Sequence, residues 1–253
     1  MKKITSLFLI MSVLFACQHN INTQTFSIES PKSEENLNTN SNDTEKTMKV
    51  LLINGSPNKE GCTFTALSEV AKALNENGIE TEIIQVGNQV VRGCMACGKC
   101  KQTGYCIYDD IVNEVITKAK TADGFIFGSP VYYSGINGTM KSFLDRLFYS
   151  GSKHLAYKPG AGVVSARRAG TTAALHQLNH FFTINNMPLV SSQYWNMVHG
   201  NTPDEVRQDK EGMQIMRTLG HNMAWLLKSI EAGKKAGIEK PTPEPRERTN
   251  FIR

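Results

Sequence analysis

The sequence predicts an α/β domain, a doubly wound five-stranded parallel sheet with helices on both faces. From Met48 onward, short apolar runs alternate with stretches whose apolar residues recur at helical spacing. The first run, residues 50–53, is apolar at every position, which is typical of a strand buried on both faces. A loop with glycine and proline follows it, and then a helix. This strand, loop and helix make the first unit of a doubly wound sheet.

The other elements follow the first unit in alternation. Strands are predicted at residues 50–53, 82–86, 124–128, 161–166 and 188–192. Helices are predicted to begin near Thr63, near Asp109, after Gly135, and after Thr171. A capping box at residues 202–205, with Pro203 at the first helical position, begins the last helical region, which runs to about residue 230.

Three loops are expected to meet at one edge of this sheet. In a doubly wound sheet, ligands bind outside the carboxyl ends of the strands, where the strand order reverses. The loops expected there are residues 55–63, 129–135 and 165–171. The first places Ser56, Thr63 and backbone N–H groups at the positive end of a helix, which favours a phosphate. It is neither a Walker loop nor GxGxxG, and a turn that binds nothing is the alternative.

The second and third loops add aromatic rings and positive charge. Tyr132 and Tyr133 lie in a loop with glycine and proline, which suits a flat ring that stacks and needs backbone donors. Packing against the neighbouring helix is the alternative for these rings. Arg167 and Arg168 suit an anionic ligand or stand as two solvated charges. The agreement among the three loops predicts a ligand better than any one loop does.

Four cysteines form a short, closely spaced block. Cys94, Cys97, Cys100 and Cys106 have the spacing Cx2Cx2Cx5C, within a cysteine-rich loop at residues 92–108. Consecutive thiolates at such spacing can converge on one cluster, so an iron–sulfur cluster is favoured. Zinc is the second candidate, because structural zinc sites usually use two separated CxxC pairs and this block does not have them. Two disulfides come third and gain weight if the protein is exported.

The two ends of the chain are predicted to lie outside the folded domain. Residues 1–16 have a basic start and a short apolar run, which indicates a secretory signal, and Cys17 follows in a pattern similar to a bacterial lipobox. A polar tether at residues 17–47 leads to the domain at residues 48–232, and residues 233–253 form a flexible tail. These features predict an exported lipoprotein anchored in the bacterial cell envelope. The alternatives are an uncleaved anchor or translation from Met48, which would leave the protein in the cytoplasm.

Four segments together resemble a known family. They are GSPNKEGCT, CMACGKCKQTGYCIYDD, SPVYYSGINGTMKSFLDR and ARRAGTT. They are similar to the flavodoxin-like NAD(P)H-dependent FMN reductases, and among these to the iron–sulfur flavoproteins. The resemblance extends from Met48 to about Lys228. It implies a flavodoxin-like fold, FMN at the three loops, NAD(P)H as the electron donor, and electron exchange between the flavin and a 4Fe–4S cluster.

The resemblance also implies site residues by position. Those expected at the FMN phosphate are Ser56, Asn58 and Thr63. Those expected around the isoalloxazine ring are Pro130, Val131, Tyr132, Tyr133, Ser134 and Gly135, with Ser165 and Arg167 beside the ring or ribityl chain. The expected cluster ligands are Cys94, Cys97, Cys100 and Cys106. One departure is Cys62, where related sequences commonly have asparagine, and a thiol is the weaker hydrogen-bonding group. No catalytic side chain is predicted.

These observations favour an FMN-dependent oxidoreductase that passes electrons from NAD(P)H to a flavin, quinone or protein acceptor. The alternatives are a non-catalytic flavodoxin-like electron carrier, and a cofactor-poor tethered protein with disulfide-bonded cysteines. The net charge of +5 over 253 residues is small and scattered, which argues against a nucleic-acid partner. Membrane contact is expected only through the lipid anchor, and the resemblance implies a homo-oligomer. An exported copy would have to acquire FMN and iron outside the compartment that supplies them.

Overall fold

The computed structural model describes residues 47–249 and 251. The predicted signal peptide of residues 1–16, the lipidation site Cys17 and the tether up to residue 46 lie outside this range and remain predictions. Among the described residues, none of the helices combines the length and the apolar character that a membrane span requires.

Five parallel strands make up the main sheet of the described part of the chain. With the short antiparallel strand β4, the six strands are β1 (Lys49–Asn54), β2 (Glu80–Gln85), β3 (Gly124–Tyr132), β4 (Gly135–Ile136), β5 (Gly160–Ala166) and β6 (Met197–His199). The parallel strands have the order β2-β1-β3-β5-β6, and β4 pairs antiparallel with the end of β3. The chain winds from β1 outward to β2 and then back across to β3, so the strand order reverses between β1 and β3. This is the flavodoxin-like order, and the predicted fold class is confirmed.

Helices cover both faces of the sheet. They are α1 (Cys62–Glu76), α2 (Cys100–Thr103), α3 (Ile111–Ala119), α4 (Gly138–Leu155), α5 (Thr171–Ile184), α6 (Pro203–Gln208) and α7 (Lys210–Lys235). Side chains of β1 alternate between the faces: Leu51 and Ile53 pack in a core with α3, α4 and α5, whereas Val50 and Leu52 pack in a core with α1 and α7. All four β1 side chains are fully buried, which agrees with the uninterrupted apolar run.

The fifth strand lies later in the chain than the sequence predicts. We predict it at residues 188–192, but that segment makes only a single bridge, from Leu189 to Gly160. The chain then leaves the sheet and returns as β6, which pairs with residues 164–166 of β5. The Ser192 hydroxyl donates to the Tyr194 carbonyl at 2.7 Å and bonds the Asn196 side chain at 2.8 Å. These local bonds compete with the strand ladder and hold a loop in place of the predicted strand.

The last helical region is two helices rather than one. The helix is interrupted at Asp209, between α6 and α7. The Asp209 carboxylate accepts a hydrogen bond from the Gly212 N–H at 2.9 Å and so caps the start of α7. The predicted capping box forms in part at the start of α6, where the Thr202 side chain accepts from the Glu205 N–H at 3.2 Å. The Glu205 carboxylate accepts from the N–H of Asn201 at 2.6 Å, one residue before the N-cap.

The aromatic core between β3 and α5 generates a stability prediction. Phe127 is fully buried, and its ring stacks on Phe182 with the centroids 5.2 Å apart. We expect Phe127→Ala to lower the free energy of unfolding by about 3–5 kcal/mol, because it removes buried surface and leaves a cavity. Urea unfolding followed by circular dichroism measures this change. The exposed Ile184→Ala on α5 is the control and should change stability by less than about 0.5 kcal/mol. Equal effects of the two substitutions would contradict the packing described here.

Candidate functional site

The three expected loops meet at the carboxyl end of the sheet. The N–H of Gly55 donates to the carbonyl of Gly128 at 2.8 Å, which joins the first loop to the middle of β3. The hydroxyls of Thr63 and Ser165 are 2.8 Å apart and both side chains are buried, which joins the start of α1 to the end of β5. The loops therefore lie side by side at the position where the strand order reverses.

A tight hairpin forms the second side of this site. Tyr132 pairs with Gly135, so the turn between β3 and β4 consists of Tyr133 and Ser134. Both turn residues have left-handed backbones, with φ of 47° and 61°, as a two-residue hairpin turn of type I′ requires. A side chain at Gly170, in the third loop, would lie 2.9 Å from the Ser134 Cα, so the third loop touches the hairpin closely. The Tyr133 ring is fully exposed and stands free beside the site.

The first loop presents backbone donors at the start of a helix. Side chains cap α3, α4, α6 and α7, whereas α1 and α5 begin after Gly61 and Gly170 without a side-chain cap. The first N–H groups of a helix have no partner within the helix, and the helix dipole makes this end positive. Beside it, the buried Ser56 Oγ accepts from the N–H of Asn58 at 3.2 Å. This end of α1 fits an anionic group such as a phosphate.

Two amide side chains that the sequence analysis missed, the buried Asn54 and the half-buried Gln85, hold the first loop in place. The Asn54 Oδ1 accepts from the Ser56 N–H at 3.1 Å, and its Nδ2 donates to Gln85 Oε1 at 2.6 Å and to the Lys59 carbonyl at 3.2 Å. Gln85 Nε2 in turn donates to the Ser56 carbonyl at 2.7 Å. The signal in the sequence is a polar side chain at the end of an otherwise apolar strand.

The predicted FMN residues lie together at this edge. Ser56, Asn58 and Thr63 lie around the start of α1, and residues 130–135 form the end of β3, the hairpin turn and the start of β4. Ser165 is buried beside Thr63, whereas Arg167 is exposed in the third loop. The buried donors at one end and the exposed tyrosine hairpin at the other fit a molecule with a phosphate and a flat ring.

The four cysteines of the block line a second cavity, which has a volume of about 490 Å³. Lys141, Asp145 and Arg146 of α4 form its opposite wall. The five described cysteines are free thiols, and Cys62 lies apart from the block, with its Sγ 3.6 Å from the Gly200 carbonyl. Within residues 47–249 and 251, no three His, Cys, Asp or Glu side chains are close enough together to hold a metal ion. The four thiols suit a soft metal in chemistry, but their loop must close further before they form a ligand set.

Arg146 joins this cavity to the rest of the domain. Its guanidinium binds both carboxylate oxygens of Asp110, at 2.7 and 2.9 Å, and Nε donates to Cys106 Sγ at 3.1 Å. Two further bonds of 3.3 Å reach the carbonyls of Arg92 and Tyr108. Burial disfavours the charge, but the bonds to Asp110 and Cys106 outweigh it, and the pKa of Arg146 lies above its ordinary value. The sequence analysis missed this residue, although its position among the apolar residues of a predicted helix was a signal.

Solved structures with the same fold include one with a bound riboflavin-phosphate derivative. The chain superposes on RosB, solved with bound 8-demethyl-8-formylriboflavin-5'-phosphate, with a TM-score of 0.58 and 14% identity over 82% of this chain and 93% of that one. It superposes on a flavone reductase with a TM-score of 0.57 and 20% identity over 73% of this chain and 64% of that one. At these identities the likeness shows the fold alone.

Relatives closer in sequence are named iron–sulfur flavoproteins. One from Methanocaldococcus jannaschii is 34% identical over 195 residues, which cover 73% of this chain and the whole of the relative. Another from Methanosarcina thermophila is 29% identical over 194 residues, covering 74% of this chain and 99% of the relative. An FMN-dependent NADPH-azoreductase from Staphylococcus saprophyticus is 34% identical over 101 residues, 40% of this chain and 52% of the relative.

The family model described as NADPH-dependent FMN reductase matches residues 48–202, which include β1 to β6 and all three loops of the site. This range is more than half of the 253 residues. The chain therefore belongs to the NADPH-dependent FMN reductase family.

Proposed function

We propose that this chain is an FMN-dependent oxidoreductase that takes electrons from NADPH or NADH and passes them to a flavin, quinone or protein acceptor. The observation that carries the proposal is the convergence of three loops at the uncapped start of α1, in a chain of this family. FMN, when bound, supplies the hydride acceptance and the electron release. The protein contributes binding and orientation, and we assign no catalytic side chain.

The start of α1 is the proposed phosphate end of the site. Ser56 and Thr63 provide hydroxyls there, and the backbone N–H groups that follow Gly61 provide further donors. Asn54 and Gln85 hold the backbone of Ser56, and Ser165 holds the Thr63 hydroxyl, so little ordering of these two residues is needed on binding.

The hairpin at residues 132–135 is the proposed ring end. Its left-handed turn holds the backbone in one shape, and the Gly170 loop packs against it. Tyr132 is half exposed and Tyr133 is fully exposed, so both rings have open faces for stacking. We propose that the protein contacts the isoalloxazine ring through these side chains and the adjoining backbone.

The phosphate assignment predicts a selective loss of affinity. We expect Ser56→Ala to weaken FMN binding about 10-fold or more, because a hydrogen bond to a charged group contributes about 1.5–3 kcal/mol. Riboflavin, which lacks the phosphate, should bind the variant and the wild type alike. Quenching of flavin fluorescence measures both affinities, and Ser68→Ala on α1 is the control. If FMN and riboflavin lose affinity equally, Ser56 is not at the phosphate.

The oxidoreductase assignment predicts nicotinamide turnover. We expect FMN-loaded protein to oxidise NADPH or NADH in steady state, with free flavin or a quinone as the acceptor. Absorbance at the nicotinamide band under anaerobic conditions measures the rate, and protein stripped of FMN is the control. A bound flavin that dithionite reduces but neither nicotinamide reduces would reject turnover and support the electron-carrier alternative.

We also propose that the four cysteines of the block hold a 4Fe–4S cluster. Two observations support this proposal. Four free thiols line one cavity, and relatives named iron–sulfur flavoproteins match this chain over nearly the whole of their own length. In the present arrangement the Ala96 N–H already lies 3.5 Å from Cys94 Sγ, which is the kind of donor that stabilises cluster sulfurs. The residues that would hold the cluster are Cys94, Cys97, Cys100 and Cys106.

The cluster assignment predicts that iron depends on the block and not on the remaining thiol. We expect anaerobically isolated wild type to carry iron and a broad absorbance shoulder, and Cys100→Ser to lose both. Cys62→Ser is the matched control, since Cys62 does not line the cavity, and it should retain the iron. Iron and flavin assayed on the same samples give the result. A wild type without iron, or equal loss in both variants, would refute the assignment.

A further inference from the structure

We propose that Arg146 is a positioning residue that fastens the cysteine-rich loop and aims Cys106 into the cavity that the four thiols line. The proposal rests on the proposed cluster function for its purpose, but the fastening itself concerns the polypeptide alone. No other described side chain hydrogen-bonds to the backbone near both ends of the loop and to one of its thiols.

The contacts of Arg146 lie at the two ends of the loop. Arg92 begins the loop and Tyr108 ends it, and their carbonyls accept from the same guanidinium at 3.3 Å. One side chain of α4 therefore closes a loop of 17 residues (92 to 108, counted inclusively). Closing a loop costs chain entropy that the contacts at its ends have to offset.

The part of the loop before Tyr105 has few other contacts to hold it. The loop's residues are exposed or half exposed from Arg92 to Tyr108, and its only regular element is the four-residue helix α2. Few buried contacts and little secondary structure place such a segment among the least stable parts of a domain. Near the end of the loop, Asn113 of α3 holds the backbone of Cys106, accepting from its N–H at 2.8 Å and donating to its carbonyl at 3.0 Å. We infer that the shape of the loop depends on the contacts at its ends, and that the direction of the Cys106 thiol depends on the bond from Arg146.

Arg146 is fixed rigidly enough to serve this purpose. Its side chain has no exposed surface, and the two-pronged ion pair with Asp110 sets the plane of the guanidinium. The Tyr108 ring covers it, with the guanidinium carbon 5.1 Å from the ring centroid. With both terminal nitrogens occupied by Asp110 and the two carbonyls, Nε is left to point at Cys106.

The positive charge of Arg146 has a second consequence for the proposed cluster. A guanidinium stays protonated at any ordinary pH, so the cavity wall has a fixed buried cation beside one proposed ligand sulfur. Hydrogen bonds and positive charge at the sulfurs favour the reduced form of an iron–sulfur cluster, which raises its reduction potential. Lys141 on the same wall is half exposed and paired with Asp145, so water screens its charge.

The test uses a variant that removes the anchor without leaving a buried charge. Arg146→Met combined with Asp110→Asn removes both partners of the ion pair, and asparagine retains the cap of α3. Lys141→Met is the matched control, because it also removes one positive charge from the wall. Arg146→Lys is the conservative variant, which keeps the charge and loses the two-pronged geometry.

The first measurement is amide hydrogen exchange of the full chain after iron removal with a chelator. In the double variant we expect exchange at residues 92–108 to be about 10-fold faster or more than in the wild type. In Lys141→Met the loop should exchange at the wild-type rate, and the strands should do so in all variants. Unchanged exchange in the loop would overturn the proposal. If the double variant loses strand protection as well, the same comparison is made with Arg146→Lys, where faster exchange confined to the loop supports the anchor and unchanged exchange overturns it.

The second measurement uses protein reconstituted anaerobically with ferrous iron and sulfide. We expect the double variant to lose iron to a chelator about 10-fold faster or more, and to show a more negative reduction potential. Arg146→Lys should restore part of the potential but less of the retention. If wild type binds no iron while the loop of the double variant still loosens, the cluster function fails and the anchoring role stands. Equal retention and equal potential would overturn the role of Arg146 toward the cluster.

Discussion

The rest of the candidate site depends on how closely the first loop approaches the middle of β3, at Gly128. Gly55 donates to the Gly128 carbonyl at 2.8 Å, and a Cβ at Gly128 would lie 2.8 Å from Leu67 and 2.9 Å from Thr63. Glycine is therefore needed at Gly128 for α1 to settle against the sheet. That approach brings the first turn of α1 level with the end of β5, so that Thr63 meets Ser165. A larger residue would push the donors of the first loop away from the other two loops.

Helix α4 connects the two sites of this domain. It begins where the tyrosine hairpin ends, and Asn137 caps it by accepting from two backbone N–H groups. The Asn137 N–H also donates to the Ser129 hydroxyl at 2.9 Å, which ties the start of α4 to the end of β3. Farther along, the same helix presents Arg146 to the cysteine-rich loop. The proposed flavin and cluster sites thus share one element as part of their walls.

Local sequence patterns predicted most of the fold and the loops that meet at the candidate site. Alternation of apolar runs gave the parallel sheet, and the strand ends and the block of cysteines marked the loops. The predicted position of the fifth strand was wrong, because Ser192 and Asn196 bond to each other locally and the edge strand forms later, at Met197–His199. The local patterns also missed Arg146, because its partners lie 36 to 54 residues away in sequence. Such pairings arise from the packing of α4 against α3 and are not local properties of the chain.

The shared helix also fixes distance and rotation between the two sites. Arg146 lies nine positions after the Asn137 cap, a span of roughly 13 Å at a rise of 1.5 Å per residue. Each residue also turns the helix by about 100°. The number of residues between Asn137 and Arg146 therefore fixes the direction in which the Arg146 side chain leaves the helix. An insertion of one residue between these points would leave the tyrosine hairpin intact and turn the arginine away from Cys106. An insertion of a whole turn would nearly restore the rotation but would move Arg146 about 5.4 Å farther from the hairpin, so neither insertion preserves both distance and direction.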